Sequence, residues 1–382
     1  MVQYSSRKND LMHIVLLALI FIRPFISALA FPYLNLVYTY TLIFFLGAYI
    51  FRFGIDRLKT KPLKFALIVF GATLIISVLF SQDRLNSVRE LYKYITGILL
   101  LIVFASTSKE IRSRTINIVI FAGFIISLLA IYQYFFGFAN VLGYLRQSNI
   151  NFSFALDYLE RQRVFLPFVT ADILGGYLVM MLMLVLIDKK YSGFVLPLFF
   201  ALLLTKSLGA LLCLFFGLVV YFYLQNQNNK KKTVLFLAVS ALAVVSVYLF
   251  RQRTSPEHAQ PIFSIFSRIN YWQEALSVIK AHPIFGVGLG NFNLVNSRYA
   301  HNFYLQIWAE AGVLAVIGFL AIVFIIIKIG YAKIKQAQAS AICRGLLLAL
   351  VVVLLHNFID FTFFLPEVAF LWWVIAGLII SV

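Results

Sequence analysis

Long apolar runs separated by short polar turns dominate the pattern of this chain. Several runs reach about 18 residues, which is enough for a helix to cross the hydrocarbon core of a bilayer. No cleavage site of small residues follows the basic N-terminus, so the first run is expected to remain as a helix. The pattern predicts about twelve membrane spans, at 11–30, 33–51, 65–81, 94–106, 116–135, 172–187, 193–207, 209–224, 233–250, 303–327, 345–360 and 367–381.

Two longer polar stretches interrupt the apolar pattern, at about 136–171 and 251–302. Apolar residues recur at helical spacing inside each of them, over 152–163 and over 267–279. This spacing predicts short amphipathic helices that lie over the spans within two long loops.

The pattern also predicts where two short helices begin. Ser267 is expected to cap the helix in the second long loop, and Pro283 is expected to stop it. The segment 81–91 carries apolar residues at intervals of three, which is typical of a separate short helix on the outer membrane surface.

Composition supports a membrane protein. The chain has 62% hydrophobic and 12% charged residues, which is far too apolar for a soluble domain of 382 residues. We therefore predict a single all-α polytopic membrane domain that covers 1–382. Cys213 and Cys343 fall in or beside spans without metal or disulfide spacing, so both are interpreted as small apolar fillers.

The net charge of +18 is mostly explained by topology. More than half of the 32 basic residues fall in alternate loops, as the positive-inside rule requires when both termini are cytoplasmic in a bacterial inner membrane. Because the lysine runs are short turns, no nucleic-acid-binding module is indicated. The other loops still contain nine arginines on the disfavoured outer face: Arg84, Arg89, Arg146, Arg161, Arg163, Arg251, Arg253, Arg268 and Arg298.

Arg23 lies late in the first predicted span, just before Pro24. Its long side chain either snorkels outward to the interface or points into a cavity. Snorkelling is favoured. Arg23 is an exception among the first five spans, which carry few charges and are interpreted as a scaffold of packed Phe and Leu helices.

The stretch 280–312 is the longest glycine-rich polar interruption before the apolar C-terminal third. Gly288 and Gly290 allow positive φ, and glycines spaced in this way bring backbone N–H groups close to an anion. No strand precedes them, so a dinucleotide-binding motif is not indicated. His301 lies within this stretch, two residues before the predicted span at 303–327 begins.

The motif HPIFGVGLGNF, followed by His301, ten residues and Gly312, resembles the O-antigen ligase and polymerase superfamily of bacterial envelope glycosyltransferases. The resemblance runs from roughly Arg163 to the C-terminus. It implies a GT-C-like membrane fold, His301 as the catalytic base, a lipid-linked glycan donor and a mechanism without metal or other cofactor.

The resemblance also implies an arginine site for the donor pyrophosphate. Arg268 stands before an aromatic-Gln-Glu-Ala element, as does a functional arginine of the family. Arg163 matches another family arginine, although neither it nor Arg161 has the family's leucine four positions later, so the choice between the two stays open. Leu208 replaces an arginine of a Ser-Arg-Gly element, and Lys206 is the nearest substitute. Further candidates in supporting positions are Arg251, Arg253 and Arg298.

Chemistry at such a site follows from these residue types. Guanidinium groups bind phosphate oxygens through paired N–H donors and hold the charge of the departing pyrophosphate. His301 takes the proton of an acceptor hydroxyl, and single displacement inverts the anomeric carbon. Asn302 is a supporting residue, and Glu310 is interpreted as structural or orienting. Relatives carry a similar His356 and Asp360, which either pair at a helix end or act directly.

No closely spaced carboxylates or clustered His and Cys ligands occur in the outer loops, which favours metal independence.

A flippase for the same glycan would need cations through the membrane midplane and internal repeats, and a structural scaffold would not need the outer arginines. The spacing from His301 to Gly312 favours an O-antigen ligase with lipid A-core as the acceptor. The alternative is a polymerase that uses a second undecaprenyl-pyrophosphate-linked unit as the acceptor.

Overall fold

This computed structural model describes residues 2–54, 60–141, 143, 161–186, 188–224, 230–254, 260–294, 297–336 and 341–382, and most of them are helical. They form 13 α-helices and no strand. The helices are α1 Val2–Ile22, α2 Pro32–Phe53, α3 Lys61–Leu79, α4 Arg84–Ala105, α5 Lys109–Tyr132, α6 Ala171–Val185, α7 Val195–Thr205, α8 Leu208–Leu224, α9 Lys230–Thr254, α10 Pro261–Ala281, α11 Phe303–Lys335, α12 Ala341–His356 and α13 Pro366–Ser381.

The expectation of an all-α fold is confirmed, and each predicted span overlaps one of these helices. The remaining helix is α10, which was expected to lie over the spans. Several helices of 10–17 residues are apolar but short. Five helical segments of the described chain are long and apolar enough to cross a membrane: Pro32–Phe53, Lys61–Leu79, Lys109–Val141, Thr233–Thr254 and Phe303–Lys335. The protein is a polytopic membrane protein.

The last helix, α13, lies at the centre of the bundle. Nearly all of its side chains are buried, and it packs along α4 and beside α12. Gly97 and Gly377 allow α4 and α13 to approach closely, because a Cβ at Gly97 would overlap the ring of Trp373. α6 is buried in the same way and contacts α7, α8 and α12. These two short helices therefore form the core around which the longer ones pack.

Arg23 does not snorkel, so that expectation is wrong. Its side chain is buried and donates to Asn35 Oδ1 at 2.8 Å and to Glu367 Oε2 at 3.3 Å. The guanidinium also lies 5.1 Å from the ring of Tyr38. A buried carboxylate on α13 gives the charge a partner that the interface would otherwise supply, which is why the side chain turns inward.

The segment 81–91 is not a separate surface helix. Asp83 caps α4 by accepting a hydrogen bond from Asn86 N at 3.1 Å, and the helix continues without a break into the predicted span at 94–106. Ser87 is fully buried, because its hydroxyl donates to the carbonyl of Leu289 at 2.8 Å. This segment therefore forms the first turns of α4 and packs against the glycine-rich loop.

The helix in the second long loop, α10, begins earlier than predicted. Pro261 occupies its first turn, and Ser267 lies inside the helix with its hydroxyl bonded to the carbonyl of Phe263 at 3.1 Å. The predicted stop is confirmed, since α10 ends at Ala281. Most of the helix predicted at 152–163 lies outside the described residues.

Candidate functional site

Helix ends meet at one end of the bundle, where most of the predicted site residues lie. α6, α8, α11 and α13 begin there, while α7, α9 and α12 end there. The backbone N–H of Phe303 at the start of α11 donates to the carbonyl of Asn357 just after α12, at 2.9 Å. The site is therefore assembled from segments that are far apart in the sequence.

Arg163 is buried and held by two acceptors. Its Nε donates to the carbonyl of Thr205 at 2.9 Å, and one terminal nitrogen donates to Asp172 Oδ1 at 2.9 Å. The hydroxyl of Ser207 donates to the same carboxylate oxygen at 2.6 Å. Asp172 therefore orients Arg163 toward the group of helix ends.

Lys206 and Arg251 lie beside this pair. Lys206 has a left-handed backbone at the turn between α7 and α8, and its Nζ donates to the carbonyl of Arg161 at 2.7 Å. Arg251 donates to the carbonyl of Lys206 at 3.4 Å. Burial, together with the charges of Arg163 and Arg251, lowers the pKa of Lys206 to about 8. The ammonium group therefore stays mainly charged at neutral pH.

Arg268 reaches the site from α10. Its Nε donates to the carbonyl of Ile359 at 2.9 Å, and NH1 donates to the Ser264 hydroxyl at 2.5 Å. These bonds tie the helix of the second long loop to the turn after α12. The positive charge of Arg268 influences Asp172, His301 and Asp360, which shows that the arginines and the histidine share one electrostatic site.

His301 and His356 flank one carboxylate. His301 Nδ1 lies 3.9 Å from Asp360 Oδ1, and His356 Nε2 lies 3.8 Å from Asp360 Oδ2. Both distances exceed a hydrogen bond and are within reach of an ion pair. His356 is buried against Gly176, where a Cβ would lie 2.9 Å from its ring. Gly176 therefore makes room for the ring in the core of the bundle.

His301 immediately precedes the N-cap of α11, as the sequence predicts. Asn302 caps the helix by accepting from Tyr304 N at 3.0 Å and Leu305 N at 3.1 Å. The His301 ring stacks on Tyr271 at 5.6 Å and meets the edge of Phe361 at 4.9 Å, and its side chain remains 28% exposed. The ring is thus held between aromatic groups with one part open.

Two opposing effects set the acidity of this ring. Burial lowers the pKa of His301 below its ordinary value, Asp360 opposes the change, and Arg268 adds to it. Burial raises the pKa of Asp360, and the nearby Asp172 adds to that rise. At neutral pH the imidazole is therefore uncharged and able to accept a proton.

The N–H groups of Gly288 and Gly290 bond to Glu310 of the protein itself, whereas the sequence led us to expect that they would approach the anion of a substrate. Gly288 N donates to the carbonyl of Glu310 at 2.9 Å, and Gly290 N donates to the Glu310 carboxylate at 3.0 Å. Gly286 N donates to the carbonyl of His282. The loop packs around the buried carboxylate of Glu310 on α11, so its glycines have a structural role in positioning the loop against this helix.

Glu310 therefore has the structural role expected from the sequence. Its other carboxylate oxygen accepts from Gln306 Nε2 at 3.0 Å. Two residues later Gly312 has φ of +80° and interrupts the helical geometry of α11, where the carbonyl of Ile284 occupies the space of a Cβ. The glycine-rich loop therefore packs directly against the kink in α11.

Arg298 and Arg253 lie apart from the other arginines. Arg298 is 54% exposed and approaches Glu90 of α4, with a distance of 3.6 Å between NH2 and Oε1. Arg253 is exposed at the end of α9. Arg161 is partly buried, and its carbonyl holds Lys206. The structure thus groups Arg163, Arg251, Arg268 and Lys206 and separates Arg298 from them.

Several site residues were not identified as functional from the sequence. Asp172 and Ser207 orient Arg163, while Tyr271 and Phe361 enclose His301. Asp172 could have been recognised from the sequence, because an acidic residue in the first turn of an apolar membrane helix indicates a functional role. Ser207, Tyr271 and Phe361 have no such signal, because their role depends on neighbours distant in sequence.

Among the described residues, no group of three His, Cys, Asp or Glu side chains is placed to hold a metal ion. Asp157 and Glu160 lie outside the described residues. Cys213 and Cys343 are free and buried, in agreement with their interpretation as apolar fillers.

Fold and site together define a polytopic membrane protein with a cationic, histidine-containing site at one end of its helix bundle. Residues 193–320, about a third of the chain, match the family described as O-antigen ligase. The matched range includes Lys206, Arg251, Arg268 and His301. A comparison with curated proteins finds no match.

The predicted resemblance is therefore confirmed over this range. Proteins of this family are bacterial envelope enzymes that transfer lipid-linked glycans, and the match does not separate ligases from polymerases. Arg163, His356 and Asp360 lie outside the matched range, and the structure alone brings them beside Arg268 and His301.

Proposed function

We propose that this protein transfers a glycan from an undecaprenyl-pyrophosphate donor to an acceptor hydroxyl, as an O-antigen ligase with lipid A-core as the acceptor. The observation that supports the proposal is the grouping of Arg163, Arg251 and Arg268 with His301 at the end of the bundle. An amphipathic pyrophosphate with a long chain fits a cationic site at the boundary of a membrane protein.

The arginines bind the donor pyrophosphate in this proposal. Arg163 and Arg268 are already oriented by protein acceptors, so little conformational entropy is lost when they bind phosphate oxygens. Arg251 and Lys206 add positive charge beside them. Fixed cations in a partly buried site stabilise the negative charge that develops on the leaving pyrophosphate.

His301 acts as the general base. The acceptor hydroxyl oxygen attacks the anomeric carbon of the donor sugar while the bond from that carbon to the pyrophosphate oxygen breaks. The hydroxyl proton passes to the neutral imidazole, and the bond electrons leave with undecaprenyl pyrophosphate. Asp360 beside His301 stabilises the imidazolium that forms. A single displacement of this kind inverts the anomeric configuration.

The arrangement in the membrane follows the positive-inside rule. About twelve spans in one domain place both termini in the cytoplasm and the arginine site at the periplasmic face of the bacterial inner membrane. Polar helix ends at the site and lysine-rich turns such as that after α11 lie at opposite ends of the same helices.

The reaction uses neither a metal nor another cofactor, because the guanidinium groups supply the positive charge.

Reconstitution tests the proposal. The purified protein in lipid nanodiscs is given a glycan linked to undecaprenyl pyrophosphate and, in separate reactions, lipid A-core or a second lipid-linked repeat unit. A single-size product on lipid A-core is expected for a ligase, whereas a ladder of lengthening lipid-linked glycan identifies a polymerase. Transfer to neither acceptor contradicts the proposal.

His301→Ala provides the inactive control for this experiment. The ring borders an open space, so its loss leaves the bundle folded, and a general base typically contributes about 100-fold or more to the rate. A variant that keeps more than about a tenth of the normal rate shows that His301 is not the base. Thermal unfolding of both proteins verifies that the fold is intact.

A further inference from the structure

Arg298 is the one predicted donor-binding arginine that lies close to the catalytic histidine in sequence and apart from the other arginines in the described structure. Its side chain is 54% exposed, and its nearest carboxylate oxygen, on Glu90, is 3.6 Å away. It makes no hydrogen bond to any other described residue. Because more than half of the side chain is exposed, a ligand can reach the guanidinium.

Arg298 belongs to a group of four residues that we call the Glu90 cluster: Glu90, Lys93, Arg298 and Tyr299. Glu90 and Lys93 form an ion pair on α4, with side chains that are 17% and 16% exposed. The guanidinium of Arg298 lies 5.8 Å from the ring centre of Tyr299. Carboxylate, ammonium, guanidinium and aromatic ring thus occupy one small area between α4 and the second long loop.

The Glu90 cluster is separated from His301 by a single aromatic ring. Tyr299 stacks on the face of Phe361 with ring centres 4.0 Å apart, and His301 meets the edge of the same ring at 4.9 Å. His301 also lies 3.9 Å from Asp360 and within reach of the charge of Arg268. His301 is therefore a neighbour both of the group of donor arginines and, through one ring, of the Glu90 cluster.

Displacement with inversion imposes a direction on the two substrates. The attacking oxygen and the leaving oxygen lie on opposite sides of the anomeric carbon, so the acceptor approaches from the side away from the pyrophosphate. The general base must contact the acceptor hydroxyl on that side. If Arg163, Arg251 and Arg268 hold the pyrophosphate, the Glu90 cluster lies where the acceptor must be.

We propose that the Glu90 cluster binds the acceptor sugar, through neighbouring hydroxyl groups next to the one that reacts. An ionised carboxylate accepts hydrogen bonds from two hydroxyls, and a guanidinium donates to their oxygens. A phosphate fits less well, because the negative charge of Glu90 opposes it. This assignment rests on the proposed transferase function.

Steady-state kinetics test the assignment, with the protein in nanodiscs and each substrate varied in turn. Arg298→Ala and Glu90→Gln are compared with Arg89→Ala, an exposed residue next to Glu90 on the same helix. Loss of a charged hydrogen bond is expected to raise the KM for the acceptor by about tenfold or more. The KM for the donor should stay within about twofold, and Arg89→Ala should change neither.

Arg268→Ala serves as the opposite case, because it should raise the KM for the donor. An increase in donor KM in Arg298→Ala would assign Arg298 to the pyrophosphate and overturn the inference. Unchanged acceptor KM in both Arg298→Ala and Glu90→Gln would show that the ion pair is only structural. If Arg298→Ala melts at a lower temperature, Glu90→Gln decides the outcome, since it keeps the size and polarity of the side chain.

The wild-type protein separates this inference from the function on which it rests. Transfer by the wild-type protein together with normal acceptor KM in the variants overturns the acceptor assignment alone. Absence of transfer to both lipid A-core and the lipid-linked unit overturns the proposed function and the acceptor assignment with it.

Discussion

The guanidinium groups of the site are oriented by protein acceptors rather than by chance proximity. Arg163 uses Nε and a terminal nitrogen on Thr205 and Asp172, and Arg268 uses Nε and NH1 on Ile359 and Ser264. A planar group held by protein acceptors has a fixed orientation. Direction as well as charge therefore distinguishes these arginines from lysines.

Arg163→Lys and Arg268→Lys are each expected to raise the KM for the donor by about tenfold, although the charge is kept. The ammonium group cannot reproduce both the internal bond and a paired contact with phosphate. Initial rates at varied donor concentration measure the effect, with Arg89→Lys as the matched control. Normal kinetics in both variants would favour a diffuse electrostatic attraction of the donor over a directed contact.

The pH dependence of transfer should report on His301. Burial lowers the pKa of His301 below 6.5, so the imidazole is neutral above that pH and gains a proton below it. The kcat/KM for the acceptor is therefore expected to be constant from neutral pH to about pH 6.5 and to fall at lower pH. His301→Ala should abolish this dependence together with most of the rate.

Asp360→Asn should move the acidic fall to lower pH. The Asp360 carboxylate raises the pKa of His301, so its removal lets the imidazole stay neutral at lower pH. The same pH series on the variant measures the shift. A shift to higher pH, or none, would show that another group controls the acidic limb.

At the scale of elements, the glycine-rich loop and the kink of α11 depend on each other. The loop places the carbonyl of Ile284 where Gly312 has no Cβ, and the Glu310 carboxylate bonds back to Gly290. Ser87 and Asn86 at the start of α4 fasten the loop from the other side. The loop thus determines where α11 begins and so the position of His301.

Gly312→Ala is expected to destabilise the protein by at least about 1–2 kcal/mol, because the residue has φ of +80° and a Cβ would overlap a carbonyl. Gly47→Ala, at a position in α2 with open space, is the matched control and should be neutral or slightly stabilising. Thermal unfolding in detergent compares the two. Equal melting temperatures would show that α11 relaxes its kink without cost.

At the scale of the whole molecule, the two ends of the chain meet. Arg23 after α1 bonds to Glu367 at the start of α13, and Glu367 also accepts from the backbone N–H of Ala28 at 3.2 Å. Asn35 of α2 joins Arg23 to Tyr92 of α4. This buried network fixes the central helix α13 against the N-terminal helices.

Arg23→Ala is expected to cost about 3–5 kcal/mol, because Glu367 would be left buried without a cation. The double variant Arg23→Met with Glu367→Leu should recover much of the loss, since it removes both charges. Intrinsic fluorescence of Trp372 and Trp373 in the core follows unfolding. Arg84→Ala, exposed at the start of α4, is the control. A double variant as unstable as the single one would show that the network stabilises by geometry rather than charge.

The distribution of carboxylates over the molecule predicts that transfer persists in excess EDTA. Asp83 is exposed, Glu274 is partly buried and far from it in the sequence, and Asp172 and Asp360 each lie beside cations or histidines. Carboxylates that are exposed or already paired with cations or histidines do not form the oxygen cage that Mg²⁺ prefers. Product formation with and without EDTA measures the outcome. Activity lost on chelation and restored by Mg²⁺ or Mn²⁺ would contradict metal independence and direct attention to Asp157, Glu160 and Asp360.

The sequence by itself determined the membrane class, the helical fold and the approximate helix positions, because burial in lipid requires long apolar runs whatever their partners are. It also located His301 at a helix start, since the polar-to-apolar change occurs within two residues. The confirmed family resemblance rests on the same local pattern around the glycine-rich loop.

Tertiary structure alone decided which polar groups meet. Arg23 turned inward because Glu367, 344 positions later in the chain, supplies a buried carboxylate. Gly288 and Gly290 used their N–H groups on Glu310, and Arg298 joined Glu90 in place of the other arginines. The partners of a buried charge or N–H group are chosen by packing between distant segments, which local spacing does not encode.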